Sequence, residues 1–344
     1  MHRICLALLA ATISAASLGI AQDGPYKVLK TTKVGGAGGW DYVYADSNGR
    51  KLYIARGGQS GQPGRITVYN LDTLEPAGEI PEVSAHGAVV STKSGHGFAS
   101  SKPVVMFDSK TLAVIKKIDV DGNPDGMLYD AFNDRVFVLS HRAPHATVIN
   151  ASDGSIAGTI DLGGAPEQAA TDGKGHVYVD IEDKDNIAAI DAKTLTVTAH
   201  YDISGKGGTC AGLVLDAKND ILFSACRKPQ NMVILSAKDG KVITTLPIGQ
   251  GTDGAVYNPK TMEAFSSQGD GTLTVIKEKS PTDFEVEQTV QTMRGARTST
   301  FDAKTGNIIL ISAEFGPPPA NPPEGRPARP PMIPDSFTII VVGK

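Results

Sequence analysis

A four-strand unit recurs along this chain, and that recurrence limits what the chain can fold into. Its clearest copy runs from Ala165 to Ile203. Alternating apolar positions mark strands at Gln168 to Thr171, His176 to Asp180, Ile187 to Ile190 and Val197 to Ile203, parted by a DGKG turn, a polar loop and a DAKT turn. Copies return every roughly 36 to 45 residues, a spacing that suits antiparallel blades; helical repeats would instead space their apolar residues by 3.6. The turn between first and second strands reads DSNGR from Asp46, DAFNDR from Asp130, DGKG from Asp172, DAKND from Asp216, NPKT from Asn258 and DAKTGN from Asp302. Asp, Asn and Gly dominate there because they tolerate left-handed backbone angles and bond their own backbone. The third strand closes on Asp72, Asp108, Asn150, Asp191 and Ser236.

Six complete units fit between Trp40 and Val290: Trp40 to Ile80, His86 to Ile118, Asp125 to Ile160, Glu167 to Ile203, Cys210 to Ile248 and Asp253 to Val290. After them Ala296 to Asp302, Asn307 to Ala313 and Ser336 to Val342 supply only three strands, while Tyr26 to Val34 is a lone strand at the other end. Pairing that strand as the outermost fourth closes a ring and removes an edge that would invite aggregation. The expected fold class is therefore all-β: a seven-bladed β-propeller of four-stranded antiparallel blades over 22–344, closed by the N-terminal strand completing the last blade. With 38 Gly and 40% hydrophobic residues, one large all-β domain suffices. A formal net charge of −4 gives no basic footprint, so no nucleic acid is expected as a partner.

Residues 1–21 read as a signal peptide, with Arg3 ahead of an apolar run from Ile4 to Leu18 and a small-x-small ending at Gly19-Ile20-Ala21. Thr12, Ser14 and Ser17 interrupt the run, which disfavours a membrane anchor. A periplasmic or secreted chain without stable membrane insertion is expected. Gly316 to Pro334 is rich in proline and favours extended polyproline conformation, as a solvated loop of the last blade ahead of a strap or lid.

Strand order assigns the near-identical Asp/Gly/Lys turns to one face of the ring. The other face carries loops that differ from blade to blade, with Arg56, His141, Arg142, His145, Glu182, Arg227 and Gln268 among them. Heterogeneous polar loops on a rigid scaffold are where function concentrates. The innermost strands begin on that face at Asp41, His86, Asp125, Glu167, Cys210, Asp253 and Arg297, ringing the channel mouth. Two unit charges about 8 Å apart repel by roughly 2 kcal/mol at an effective dielectric near 20, so these acids need a cation, a proton or Arg297 nearby. A divalent ion, Ca or Zn, held by Asp125, Glu167, Asp253 and His86, would meet that need. A wet channel with ordinary polar lining is the simpler alternative, and there binding falls to His141, Arg142 and Arg227. His141 and His145 lie on a loop, without the shared helical face of a zinc motif. Cys210 and Cys226 sit symmetrically about Lys218 in the DAKND turn and so oppose each other, which in an oxidising compartment predicts a disulfide.

The phrases LYIA from Leu52, VFVL from Val136, VYVD from Val177, VINASDG from Val148 and AAIDAKTL from Ala188 resemble YVTN-type repeats, and the whole chain is similar to the bacterial YncE-like propellers. The resemblance implies an exported propeller and supplies no catalytic motif. It favours a noncatalytic binding or scaffolding module, whose partner would be a protein, a peptide or a small-molecule ligand. The alternative is a metal-dependent lactonase-like hydrolase using channel-mouth carboxylates, although that family has a six-blade pattern. No Trp-Asp pair closes the third strands, so the WD signature is absent.

Overall fold

The computed structural model describes residues 24–59, 61–319 and 330–344. Residues 1–21, read from the sequence as a signal peptide, and the middle of the proline-rich insertion lie outside the described residues. Chain order begins with β1 (Lys27–Lys33). The first blade is β2 (Trp40–Asp46), β3 (Lys51–Arg56), β4 (Arg65–Asn70) and β5 (Pro76–Ile80); the second is β6 (Ala85–Val90), β7 (His96–Ser101), β8 (Val104–Asp108) and β9 (Val114–Ile118). The third holds β10 (Pro124–Asp130), β11 (Arg135–Ser140), β12 (Ala146–Asn150) and β13 (Ile156–Ile160), and the fourth β14 (Pro166–Thr171), β15 (His176–Ile181), β16 (Asn186–Asp191) and β17 (Thr196–Asp202). The fifth comprises β18 (Cys210–Asp216), β19 (Ile221–Arg227), β20 (Gln230–Ser236) and β21 (Val242–Pro247); the sixth β22 (Thr252–Asn258), β23 (Glu263–Gln268), β24 (Thr272–Ser280) and β25 (Asp283–Gln291). The last is β26 (Ser299–Asp302), β27 (Asn307–Ser312) and β28 (Thr338–Gly343), with β1 bonded outside β28.

Each blade is a four-stranded antiparallel sheet, and each first strand touches the first strands of the two neighbouring blades, from β2 through β26 and back to β2. The seven-bladed propeller is thus closed as the repeat predicts. Middle strands are buried on both faces because neighbouring blades cover both, so they read as continuous apolar runs: Val177 and Val179 of β15 join Phe137, Leu139 and Val148 of the preceding blade in one core. Outer strands face solvent, and β9 and β17 expose alternate or most positions.

Closure depends on both ends of the chain. Lys27 to Lys33 pairs with Gly343 to Thr338, and the preceding Tyr26 is buried edge-on against Phe265, with ring centroids 5.1 Å apart. Gln288 accepts from the Tyr26 N–H at 2.9 Å and donates to its carbonyl at 2.7 Å. On the turn face, Arg50 of the first blade grips Asp302 of the last through two parallel bonds of 2.7 and 2.8 Å.

Two turn details differ from the sequence reading. The carboxamide closing the third strand of the first blade is Asn70, which accepts from the N–H groups of Asp72 and Thr73 as Asp108 and Asp191 accept in their blades. Asp72 lies two residues further on and holds Arg50. The residue that turns left-handed at the ends of several of these loops is a leucine, Leu74, Leu112 or Leu195. Two of them fill space over a neighbouring glycine: a Cβ on Gly78 would meet Leu112 and one on Gly158 would meet Leu195. Among the described residues, no helix is long and apolar enough to cross a membrane.

Candidate binding cup at the channel mouth

Six of the seven first strands open with a register irregularity: one residue pairs with the end of the second strand, and the ladder resumes two or three residues later. Such bulges re-aim a side chain. Here the residue after the first pair turns toward the channel, which places Asp41, His86, Asp125, Glu167 and Asp253 at equivalent positions, with Arg297 alongside in the last blade. In the fifth blade that position is Ala211, because Cys210 takes the paired position opposite Cys226. Cys210 therefore leaves the ring. It is buried in the core and joined to Cys226 by a disulfide with Cα atoms 3.8 Å apart.

The charged groups sort into two sets. Asp253 lies between two guanidiniums: the Arg297 Nε is 2.8 Å from one carboxylate oxygen, and Arg227 holds the other while reaching Glu182 at 3.2 Å. Arg227 is itself fixed by a 2.9 Å bond from Nε to the Thr252 carbonyl. Across the mouth, His86 Nδ1 is 2.7 Å from Asp41 and 3.3 Å from one Asp125 oxygen, and His141 Nε2 is 3.2 Å from the other. Asp253 is thus committed to arginines and stands apart from His86, Asp125 and Glu167, with which the sequence reading grouped it as a metal ligand.

Burial sets the protonation states. The bond to Asp41 raises His86, against the opposing pull of desolvation. Burial pushes Asp125 up, and Asp41 adds to it. Glu167 is pushed up to about 9, by burial first and then by the negative charges of Glu182, Asp253 and Asp125. With no arginine in contact, its polar neighbour is the Tyr42 hydroxyl at 3.2 Å. A carboxyl so placed holds its proton at neutral pH, relieving the repulsion that a ring of acids creates.

A floor closes the mouth. In four blades the residue after the ring position is glycine, at 87, 126, 212 and 254, but in the first it is Tyr42 and in the fourth Gln168. A Cβ on Gly87 would press on the Tyr42 ring base at 3.1 Å, and one on Gly126 would come within 3.3 Å of its hydroxyl, so those glycines leave room for the tyrosine to cross the channel. Gln168 reaches over Gly212 and Gly254, accepting from the N–H groups of Leu213 and Ala255 at 3.2 and 3.1 Å and donating to the Ala255 carbonyl at 3.0 Å. A cavity of about 260 Å³ continues along the inner strands past these two side chains. Sequence reasoning missed this pair, although aligning the repeats shows two large residues where four other blades have glycine.

Other loop residues fall elsewhere. Arg142 is exposed and stays out of the cluster, and His145 pairs with Asp161 at 2.7 Å. Arg56 is fully buried: its guanidinium donates to the carbonyls of Gly35, Gly36, Ala37 and Gly38 and lies 3.7 Å from the centre of the Phe337 ring. It shapes the entry loop rather than meeting a ligand. Gln268 is equally buried. Beside the charged ring, Trp40, Phe315, Met332 and Arg297 line a recess of about 410 Å³ at the base of the proline-rich insertion.

No protein-family model and no curated protein matches the sequence. Solved structures match its shape. A chain in the crystal structure of the mitotic checkpoint complex gives a TM-score of 0.71 at 9% identity, over 90% of this chain and 95% of that one. The WD40 repeats of RRP9 and the structure of U3-55K each give 0.70 at 9% identity, covering 94% and 93% of this chain and 99% of theirs. At that identity the likeness is one of fold, and the single Trp-Asp pair here, Trp40-Asp41, opens a first strand instead of closing a third.

Proposed function

We propose that this chain is an exported, YncE-like propeller that works as a noncatalytic binding module, with the mouth face as its binding surface and a protein or peptide segment as its partner. The observation that carries this reading is the juxtaposition on one face of a charged cup floored by Tyr42 and Gln168 and an apolar recess beside it. Phe315 is 47% exposed at the rim of that recess. Concave sites with a few convergent polar groups and an aromatic wall are the usual form of a binding site. An extended segment would seat an apolar side chain against Trp40 and Phe315 and set polar groups over Arg297 and the acids. The opposite face offers uniform turns whose polar groups bond one another, as Asp46, Asp108 and Asp302 do.

The test uses the full chain expressed in a bacterial host. Fractionation should recover protein beginning at Gln22 outside the cytoplasm. A photo-crosslinking amino acid at Arg142 or Phe315 should give a defined adduct that the same label at Lys218, on the turn face, does not. Adducts formed only from Lys218, or a chain retained in the cytoplasm with residues 1–21 intact, would overturn the proposal.

A further inference from the structure

The geometry points to a carboxylate-bridged site for two divalent transition ions of the zinc class, with Asp125 as the shared ligand, Asp41 and His86 completing one half and His141 and Glu167 the other. Among the described residues, the ligand atoms of Asp41, His86 and Asp125 lie within 4.8 Å of one another, and so do those of Asp125, His141 and Glu167. The two histidines approach different oxygens of Asp125, His86 toward Oδ1 and His141 toward Oδ2. That is the arrangement of a bridging carboxylate.

The distances suit such ions. With metal–ligand bonds of about 2.0 to 2.1 Å, adjacent ligands of a tetrahedral centre stand about 3.3 Å apart. The Asp125 contacts measure 3.3 Å to His86 and 3.2 Å to His141, close to that spacing; the 2.7 Å Asp41–His86 contact must open, and the remaining ligand atoms lie within 4.8 Å of one another. The ligand types also discriminate. One imidazole and two carboxylates per ion suit zinc or manganese, whereas calcium prefers oxygen donors throughout.

The charge balance at the mouth agrees. Its two arginines are occupied by Asp253 and Glu182, leaving Asp41 and Asp125 to face imidazoles, while Glu167, protonated in the free chain, would release its proton on binding an ion. The Tyr42 hydroxyl, 3.2 Å from Glu167 Oε2, is placed to orient that carboxylate from outside the coordination sphere, as supporting donors do in metal sites. The inference is independent of the proposed partner, since metal uptake is read on the isolated chain.

The experiment titrates Zn²⁺ into chelator-treated full chain, following stoichiometry by calorimetry and the melting temperature in parallel. Two equivalents are expected, with a rise in melting temperature that the same concentration of Ca²⁺ does not produce. His86→Ala and His141→Ala should each retain one equivalent. Asp125→Asn should weaken both by a hundredfold or more, and Asp183→Asn, on an outer loop, should change neither. Melting of each variant without metal confirms that it folds, and Glu167→Gln provides a second ligand change if Asp125→Asn does not fold. If folded wild-type chain takes up no Zn²⁺, the cluster is a set of His–Asp ion pairs and the proposal fails. If one histidine variant abolishes all uptake, or if Ca²⁺ binds equally well, the shared-carboxylate arrangement is overturned.

Discussion

The Arg50–Asp302 clasp joins the first blade to the last on the turn face, and replacing Asp302 by Asn should loosen the ring by an amount that vanishes in acid. Asp302 is 2% exposed. Burial alone would raise its pKa, but the bonds from Arg50, Thr305, Lys304 and Ser47 outweigh burial and hold it down at about 2. From an ordinary value near 4, that displacement is worth about 2 kcal/mol of folding stability at neutral pH. A carboxyl whose folded pKa is depressed gives its full contribution above its unfolded pKa and loses it as pH falls through the folded one. The difference between wild type and Asp302→Asn should therefore be constant from about pH 7 down to 5 and disappear between about pH 4 and 2. In urea at pH 7, with a slope of about 3 kcal/mol per molar, the midpoint should fall by roughly 0.7 M. Arg50→Met should lose a similar amount, and the double variant little more than either alone. A midpoint unchanged at pH 7, or a loss equally large at pH 2, would refute the reasoning.

Deleting residues 24–34 should bare the outer edge of β28 and remove Tyr26 from its place against Phe265; a lower melting temperature and concentration-dependent aggregation are expected, and unaltered melting would sink the closure. Exported protein, denatured without reductant, should show no thiol from Cys210 or Cys226. Replacing both by Ala should cost about 3 kcal/mol on the chain-entropy model, since the loop between them spans 16 residues; reactive thiols at these positions would count against the bridge.

Much of this architecture was legible because a propeller is local. Each blade pairs strands adjacent in sequence, so turn chemistry and alternation at Asp172-Gly173-Lys174-Gly175 or Asp216 to Asp220 register on the page. Closure by β1 followed from counting strands. Where sequence reasoning slipped, the cause was register. Counting toward the start of β18 put Cys210 in the ring, yet the bulge there pairs Cys210 with Cys226 and gives the ring position to Ala211. In a strand, a one-residue slip moves a side chain to the other face. A two-residue shift placed Asp72 where Asn70 belongs.

By itself, the sequence determined the number of blades, the partner of the N-terminal strand and the face on which charged residues gather, since each follows from periodicity or chain order. Only the tertiary structure decided which charges meet. Asp253 lies 26 residues from Arg227 in sequence, yet the two meet between neighbouring blades, and Tyr42, 125 residues from Glu167, meets it across the channel. Arg56 looked like its neighbours on the loop face but turned inward to bond four carbonyls of the entry loop. Partners of this kind are fixed by how the seven sheets tilt and pack around a common axis, a property of the closed ring that no single repeat contains.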